Sequence, residues 1–489
     1  MEAKQPTARV VGAGIAGIAS AIRWARKGYA VHVHEANTYP GGKLSQFQLG
    51  DYRFDAGPSL FTLPFLVDEL FTLCEEDPRD HFNYLKKTEE CRYFWDDGTR
   101  LTAHSDPAEF ASEAERVLGE PAAHVRAHLD LARRQYEATK GLFLERSLHK
   151  ASTYLRRDAL PALAALPSLK LTQTMHVVHA QRFRSPKMVQ LFDRFATYNG
   201  STPYQAPGTL AMIPHLEFGF GTFVPYGGMV AITESLVALA KRQGVQFHYG
   251  QRVERILVED RRATGLLVGG TELPADVVVS NMDVTPTYRR LLPDLKAPEK
   301  TLSQERSSSA LIFYWGVRRE FPELDLHNIL FANDYEAEFR DLFEHKTLHG
   351  DPTVYIHITS KDLEGEAPVG GENWFVMINA PADYGQDWGS WRATARASVL
   401  AKIERALGID VAPFIEVEEV LDPPTIQSRT GSDRGALYGA SSNNAMAAFV
   451  RHPNFHRQIP NLFFVGGSAH PGGGIPLCLL SAKIAADLG

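Results

Sequence analysis

Cysteine is scarce in this chain: Cys74, Cys91 and Cys478 are the only three in 489 residues. None stands in a Cys-x-x-Cys spacing, so neither a redox dithiol nor a cysteine-held zinc site is indicated, and no metal is expected. Three scattered thiols fit a reducing cytosol. Long apolar runs are missing too, and no window approaches the roughly 18 uninterrupted apolar residues of a spanning helix. The opening Met1-Glu2-Ala3-Lys4-Gln5-Pro6-Thr7 is polar and has no apolar centre of the secretory-signal kind. Basic runs do not extend beyond pairs such as Arg133-Arg134 and Arg156-Arg157. With a net charge of −7, nothing calls for a nucleic-acid partner. Tandem repeats and low-complexity stretches are absent. What remains is ordinary globular material, 44% hydrophobic and 22% charged, long enough for two or three domains.

Glycine is where the chain becomes specific. Arg9-Val10-Val11-Gly12-Ala13-Gly14-Ile15-Ala16-Gly17 is a strand entering Gly-x-Gly-x-x-Gly, and Glu35 ends a second apolar stretch, Ala30 to His34. Gly12 allows the tight turn, Gly14 lets backbone approach a pyrophosphate, and Gly17 lets the helix pack on the strand. The helix from Ile15 and Ala16 turns its free amides and positive dipole end toward phosphate. A carboxylate about 20 residues on takes the ribose hydroxyls. Behind Glu35 come Ala36 and then Pro40-Gly41-Gly42-Lys43. The second glycine pair and its cation add donors for a pyrophosphate, an arrangement that resembles the FAD fold of the glutathione-reductase and amine-oxidase kind. A plain Pro-Gly turn with a solvated lysine is the rival reading.

Further along, Ser59 to about Glu75 reads as a helix apolar on most sides, and residues 93–102 as a hairpin. Pro107 to about Leu144 reads as a charged helix. Between Leu148 and Tyr198, helices broken by Pro161, Pro167 and Pro186 mix leucines (Leu155, Leu160, Leu163, Leu166, Leu169), Met175 and Val178 with Arg156, Arg157, Lys170, Arg182 and Arg184. The dinucleotide fold resumes with the helix 230–242, strands around 245–249 and 251–258, where Val253 joins the cofactor candidates, and the buried-strand pattern 275–280. Strand patterns at 310–316, 353–358 and 374–378 predict an antiparallel sheet with one face toward a cavity. The expected class is α/β: a Rossmann-like, glutathione-reductase-type FAD-binding domain from residues 1–60, 220–285 and 422–489. A substrate domain of antiparallel sheet and helices takes 61–147 and 286–421, and 148–219 forms a helical, membrane-associating region.

Near its C-terminus the chain reads Phe463-Phe464-Val465-Gly466-Gly467-Ser468-Ala469-His470-Pro471-Gly472-Gly473-Gly474-Ile475-Pro476, then a helix. This loop and helix start suit the ribityl chain and pyrimidine edge of a flavin. Together with the first glycine turn, Glu35 to Lys43, Arg53-Phe54-Asp55-Ala56-Gly57-Pro58-Ser59 and Phe223 to Met229, it resembles the bacterial phytoene-desaturase type of carotenoid desaturases, within the FAD-dependent amine-oxidase-like superfamily. The ending Gly474 to Lys483 looks most like the hydroxycarotenoid 3,4-desaturase subgroup. Ser468 departs from many amine-oxidase relatives, which carry an acid there.

The resemblance implies FAD held by Gly12, Gly14, Ile15, Ala16, Gly17, Glu35, Ala36, Gly41, Gly42, Lys43, Gly57, Pro58, Ser59, Val253, Gly467, Ser468, Gly474, Ile475 and Pro476. It implies removal of two hydrogens beside a polyene: a hydride from an allylic carbon to flavin N5, then a proton. Glu217 is a candidate proton acceptor, against a salt-bridge role, and His470 a second candidate, against a loop-fixing role. A carotenoid partner implies a greasy channel, peripheral contact with the inner face of the cell membrane from the cytoplasm, and oxygen or a quinone as electron acceptor. The stretch from about Leu148 to Tyr198 is the candidate membrane face, against an ordinary solvated helix pair. A polyene isomerase or saturase, an amine oxidase and a prenyl-protein escort remain alternatives on the same scaffold.

Overall fold

The computed structural model describes residues 5–155, 169–444 and 446–489, with backbone alone for residues 448 and 449. Strand β1 (Thr7–Val11), helix α1 (Ile15–Arg26) and strand β2 (Ala30–His34) form a β-α-β unit. β1 lies at the centre of a five-stranded parallel sheet. Gln246–His248 flanks β2, while Val277–Ser280 and then Leu462–Phe464 lie on the other side. The strand 277–280 is buried along its whole length, as its unbroken apolar run requires. α1 is buried almost all round, because it is clamped between this sheet and the helices Val230–Arg242 and Ile475–Leu488. Trp24 seals the end of that clamp against Phe463, ring centres 5.5 Å apart.

A second sheet has seven strands, in the order 415–421, 309–317, 372–380, 354–358, 327–330, 89–94 and 100–104. Alternation sorts its side chains. Leu311, Phe313, Trp315, Trp374, Val376 and Ile356 face the helix Trp388–Leu407, which presents Val399 and Ile403. Asp387 starts that helix by accepting from Ser390 N, and Gly408 at φ +74° ends it. Ile312, Tyr355, Phe375 and Met377 point the other way, into the cavity.

Several expectations need correction. The sheet is mixed rather than antiparallel, because His327–Leu330 runs parallel to Glu89–Phe94. The charged helix is two helices, Pro107–Leu118 and Ala122–Phe143. Gly119 takes φ +66° and Pro121 cannot continue the first helix. The helix expected from Ser59 begins only at Phe65, after Pro64. Residues 57–60 stay non-helical and line the cavity.

Within 148–219, Leu160, Leu163, Leu166, Arg156 and Arg157 lie outside the described residues. Met175 and Val178 are buried, and Leu169 lines the cavity. Leu155 stands 86% exposed beside Tyr154. Among the described residues no helix is long and apolar enough to cross a membrane.

Candidate functional site

The C-terminal ends of the parallel strands open onto a cavity of about 1120 Å³. Gly12, at φ +93°, turns the chain out of β1. Glu35 stands where β2 ends: one carboxylate oxygen accepts from Ala13 N at 2.7 Å and the other from Asn37 N at 2.8 Å. Gly14 bridges to Gly41, whose amide donates to Ala13 O at 2.8 Å. A Cβ on Gly57 would lie 1.9 Å from the Lys43 carbonyl oxygen, so only glycine lets these two loops meet.

Ile15, Ala16, Glu35, Ala36, Gly41, Gly42, Lys43, Gly57, Pro58, Ser59 and Val253 all line this cavity. So do Gly12, Gly14, Gly467, Ser468, Gly474, Ile475 and Pro476. Gly17 does not. It lies behind the turn, its amide donating to Asn281 Oδ1 at 3.0 Å, and a Cβ there would stand 2.2 Å from Gly12 O.

Two helices, α1 and Ile475–Leu488, start at this cavity. Neither has a side-chain cap or an acid in its first turn. The first-turn amides of Ile15 and Ala16 have no partner within the helix, and they line the cavity. Lys43 is less free than its sequence context implies: Nζ donates to the carbonyls of Leu437, at 2.9 Å, and Ala436. Burial lowers its pKa, against the charge of Asp283.

Sequence reasoning missed the other cations. Arg252, Arg290 and Arg429 reach the same wall. Buried Arg451 donates to the carbonyls of Tyr438, Gly467 and Ala440, each at 3.0 Å, and so shapes the glycine loop. It also missed Asn281, whose Nδ2 donates to Val465 O. Ser468 Oγ accepts from Val284 N at 3.0 Å. Free amides at two helix starts and nearby guanidinium groups as donors, with the Glu35 carboxylate as acceptor, form a set that fits a dinucleotide.

Beyond Ser59 the cavity continues under the second sheet, past Ile312, Ile329, Phe375, Met377, Leu169 and Leu171. Set into this apolar wall is a polar corner. Glu217 Oε2 accepts from Arg194 Nη2 at 2.9 Å, and Oε1 accepts from the Tyr198 hydroxyl. Arg194 also bonds Tyr93 and Tyr198. Burial raises the Glu217 pKa and the Arg194 charge opposes it.

Glu90, unremarked in the sequence, lines the same corner at 2% exposure. One of its oxygens accepts from the Thr222 hydroxyl; Oε1 has no partner among the described residues. Burial, then the Glu217 charge, push its pKa up to about 8. A register shift between Glu89 and Cys91 brings Glu90 to the cavity wall alongside Cys91, where strict alternation would part them.

Ser59 Oγ pairs with the Tyr355 hydroxyl at 3.0 Å, and Tyr355 with His327 Nδ1 at 2.7 Å. His470 also lines the cavity. Its Nε2 meets Arg146 O at 2.8 Å, its amide donates to His452 O, and burial pulls its pKa down to about 3.

Residues 15–488 match the family described as flavin containing amine oxidoreductase. The chain belongs to that family. It is an FAD-dependent oxidoreductase, and the amides and carboxylate above are suited to hold the cofactor. Among curated relatives, it is 54% identical over 479 residues to a 1-hydroxycarotenoid 3,4-desaturase of Flavobacterium sp. (strain P99-3), covering 98% of each chain. It is 31% identical to a 4,4'-diaponeurosporene oxygenase of Staphylococcus aureus (strain Mu50 / ATCC 700699), covering 98% of this chain and 97% of that one. Among solved structures, putrescine oxidase bound to putrescine superposes with a TM-score of 0.63 at 15% identity, covering 99% and 98% of the two chains. An oxidoreductase from Methanosarcina mazei gives 0.62 at 14%, covering 97% and 98%. At these identities the likeness is one of fold.

Proposed function

We propose that this protein is a carotenoid desaturase that introduces a double bond at the 3,4 position of a hydroxylated polyene. The observation that carries the reading is the continuity of one cavity, from glycine loops suited to a dinucleotide into an apolar chamber whose polar corner holds a buried carboxylate. The 54% identical relative bears this activity in its name. The parallel-sheet segments would hold the cofactor and the seven-stranded sheet the polyene.

FAD supplies a two-electron acceptor when bound. The chain's residues then have three tasks. The apolar walls align the polyene and exclude water, which favours reaction within a bound pair. Glu90 Oε1 takes the proton from the carbon next to the oxidised one; conjugation lowers the demand on that base. Glu217, with both oxygens engaged, positions Arg194 and keeps Glu90 a weak acid. His470 holds the loop through Arg146. In this reading oxygen or a quinone finally accepts the electrons, and the exposed Tyr154–Leu155 end meets the membrane surface.

Expression in cells carrying defined carotenoid precursors, followed by pigment analysis, tests the function. A red-shifted product is expected from a hydroxylated precursor, and an unchanged chromophore in every background overturns the reading. Sedimentation with anionic liposomes tests the membrane contact, and binding unaltered by Leu155→Asp would remove it.

A further inference from the structure

Resting on the desaturase reading, we propose that His327, Tyr355 and Ser59 form a hydroxyl-binding subsite that selects a polyene alcohol by its end group. An apolar channel for a hydrocarbon has no use for a buried imidazole. Yet His327 is 3% exposed at the cavity wall, its Nδ1 is engaged by Tyr355, and its Nε2 has no partner among the described residues. An unpaired polar atom in such a place is destabilising unless a ligand satisfies it.

The chemistry of the missing partner follows from the chain of bonds. Burial holds the ring neutral. If Tyr355 donates to Nδ1, then Nε2 carries the proton and donates; if Tyr355 donates to Ser59, then Nε2 accepts. An alcohol both donates and accepts, so it satisfies either arrangement, whereas an ether or carbonyl satisfies one. The alternative occupant, a carboxylate, only accepts and so suits one arrangement, and the cations whose charge reaches His327, Lys87 and Arg194, are already paired with Asp362 and Glu217.

Placement agrees with the expected reaction. In a 1-hydroxylated chain the alcohol carbon is about two bonds from the 3,4 pair, so an anchor has to adjoin the reacting end. Ser59 belongs to the loop of Gly57, where the two halves of the cavity meet. His327 neighbours the Cys91 end of the strand that carries Glu90, because Asn328 pairs with Arg92. Anchor and proton acceptor thus share one corner.

Binding to the FAD-loaded protein tests this without turnover. The probes are a hydroxylated, already desaturated polyene and its deoxy counterpart, titrated by polyene absorbance in detergent. The wild type should prefer the alcohol by about tenfold, the scale of one or two hydrogen bonds. His327→Phe should lose that preference while its affinity for the deoxy compound holds, and Tyr355→Phe, which removes a single oxygen, should lose part of it. Equal wild-type affinity for the two polyenes, or equal weakening of both in either variant, overturns the subsite. Preference for the alcohol in a protein that desaturates no precursor would instead sink the desaturase reading and leave the subsite standing.

Discussion

Arg194 and Glu217 meet at 2.9 Å with both side chains almost sealed from solvent. That pairing satisfies Glu217 and leaves Glu90, another carboxylate of the same wall, bonded among the described residues only to Thr222. One acid is fixed in an ion pair and the other is left to titrate. Their environments push the two carboxyls into different tasks.

Removing one member of the pair strands the other as a buried charge. Arg194→Met should cost about 3–5 kcal/mol of stability in denaturant unfolding. The double variant Arg194→Met with Glu217→Leu should lose less than the single one. A single variant as stable as wild type would contradict the pairing.

Glu90 binds a proton in the folded protein with a pKa of about 8, against its ordinary 4.5. Between those values the folded state holds the proton that the unfolded chain releases, so stability should fall as pH rises through the window and level off above it. Turnover should run the opposite way, kcat/KM rising with pH toward a plateau above about 8 as the base ionises. Glu90→Gln should abolish both slopes and slow turnover by ~10²–10⁴-fold. A rate profile in Glu90→Gln that still bends near the same pH would reassign the base.

Gly17 needs no Cβ for its own conformation, but one would strike Gly12 O at 2.2 Å. Gly17→Ala should force α1 away from the turn, cost about 1–3 kcal/mol and give protein that purifies without bound flavin. The measurement is flavin absorbance per protein, near ~450 nm.

Glu35→Ala withdraws the acceptor from two backbone amides and from a ribose. FAD affinity of the reconstituted apoprotein should drop by at least about tenfold, or ~1.4 kcal/mol. Unchanged affinity would place the adenosine elsewhere.

The first β-α-β unit and Glu35 were legible because their signals are local: glycine spacing, an apolar strand and an acid at a set distance. The buried strand 277–280 was legible for the same reason. The seven-stranded sheet was legible only in part. Its central strands announced themselves by alternation, but the parallel pairing of 327–330 with 89–94 joins segments more than 230 residues apart, and nothing local encodes it. Glu90 stayed hidden because a bulge breaks the period that assigns faces. Asn281 belongs to no motif; only the fold brings its amide between Gly17 and Val465. The break at Gly119 was readable from glycine followed by Pro121, had the long charged helix not masked it.

Asn281 spans what chain order keeps apart. Its side chain accepts from residue 17 with one atom and donates to residue 465 with another, and the strand 277–280 that leads into it lies between β1, which leads to Gly17, and the strand 462–464, which leads to Val465. During synthesis the turn after β1 leaves the ribosome early, while its neighbour across this amide arrives some 450 residues afterwards. The nascent polypeptide therefore has half a cradle for most of its time on the ribosome, and flavin capture has to be a late event of biogenesis.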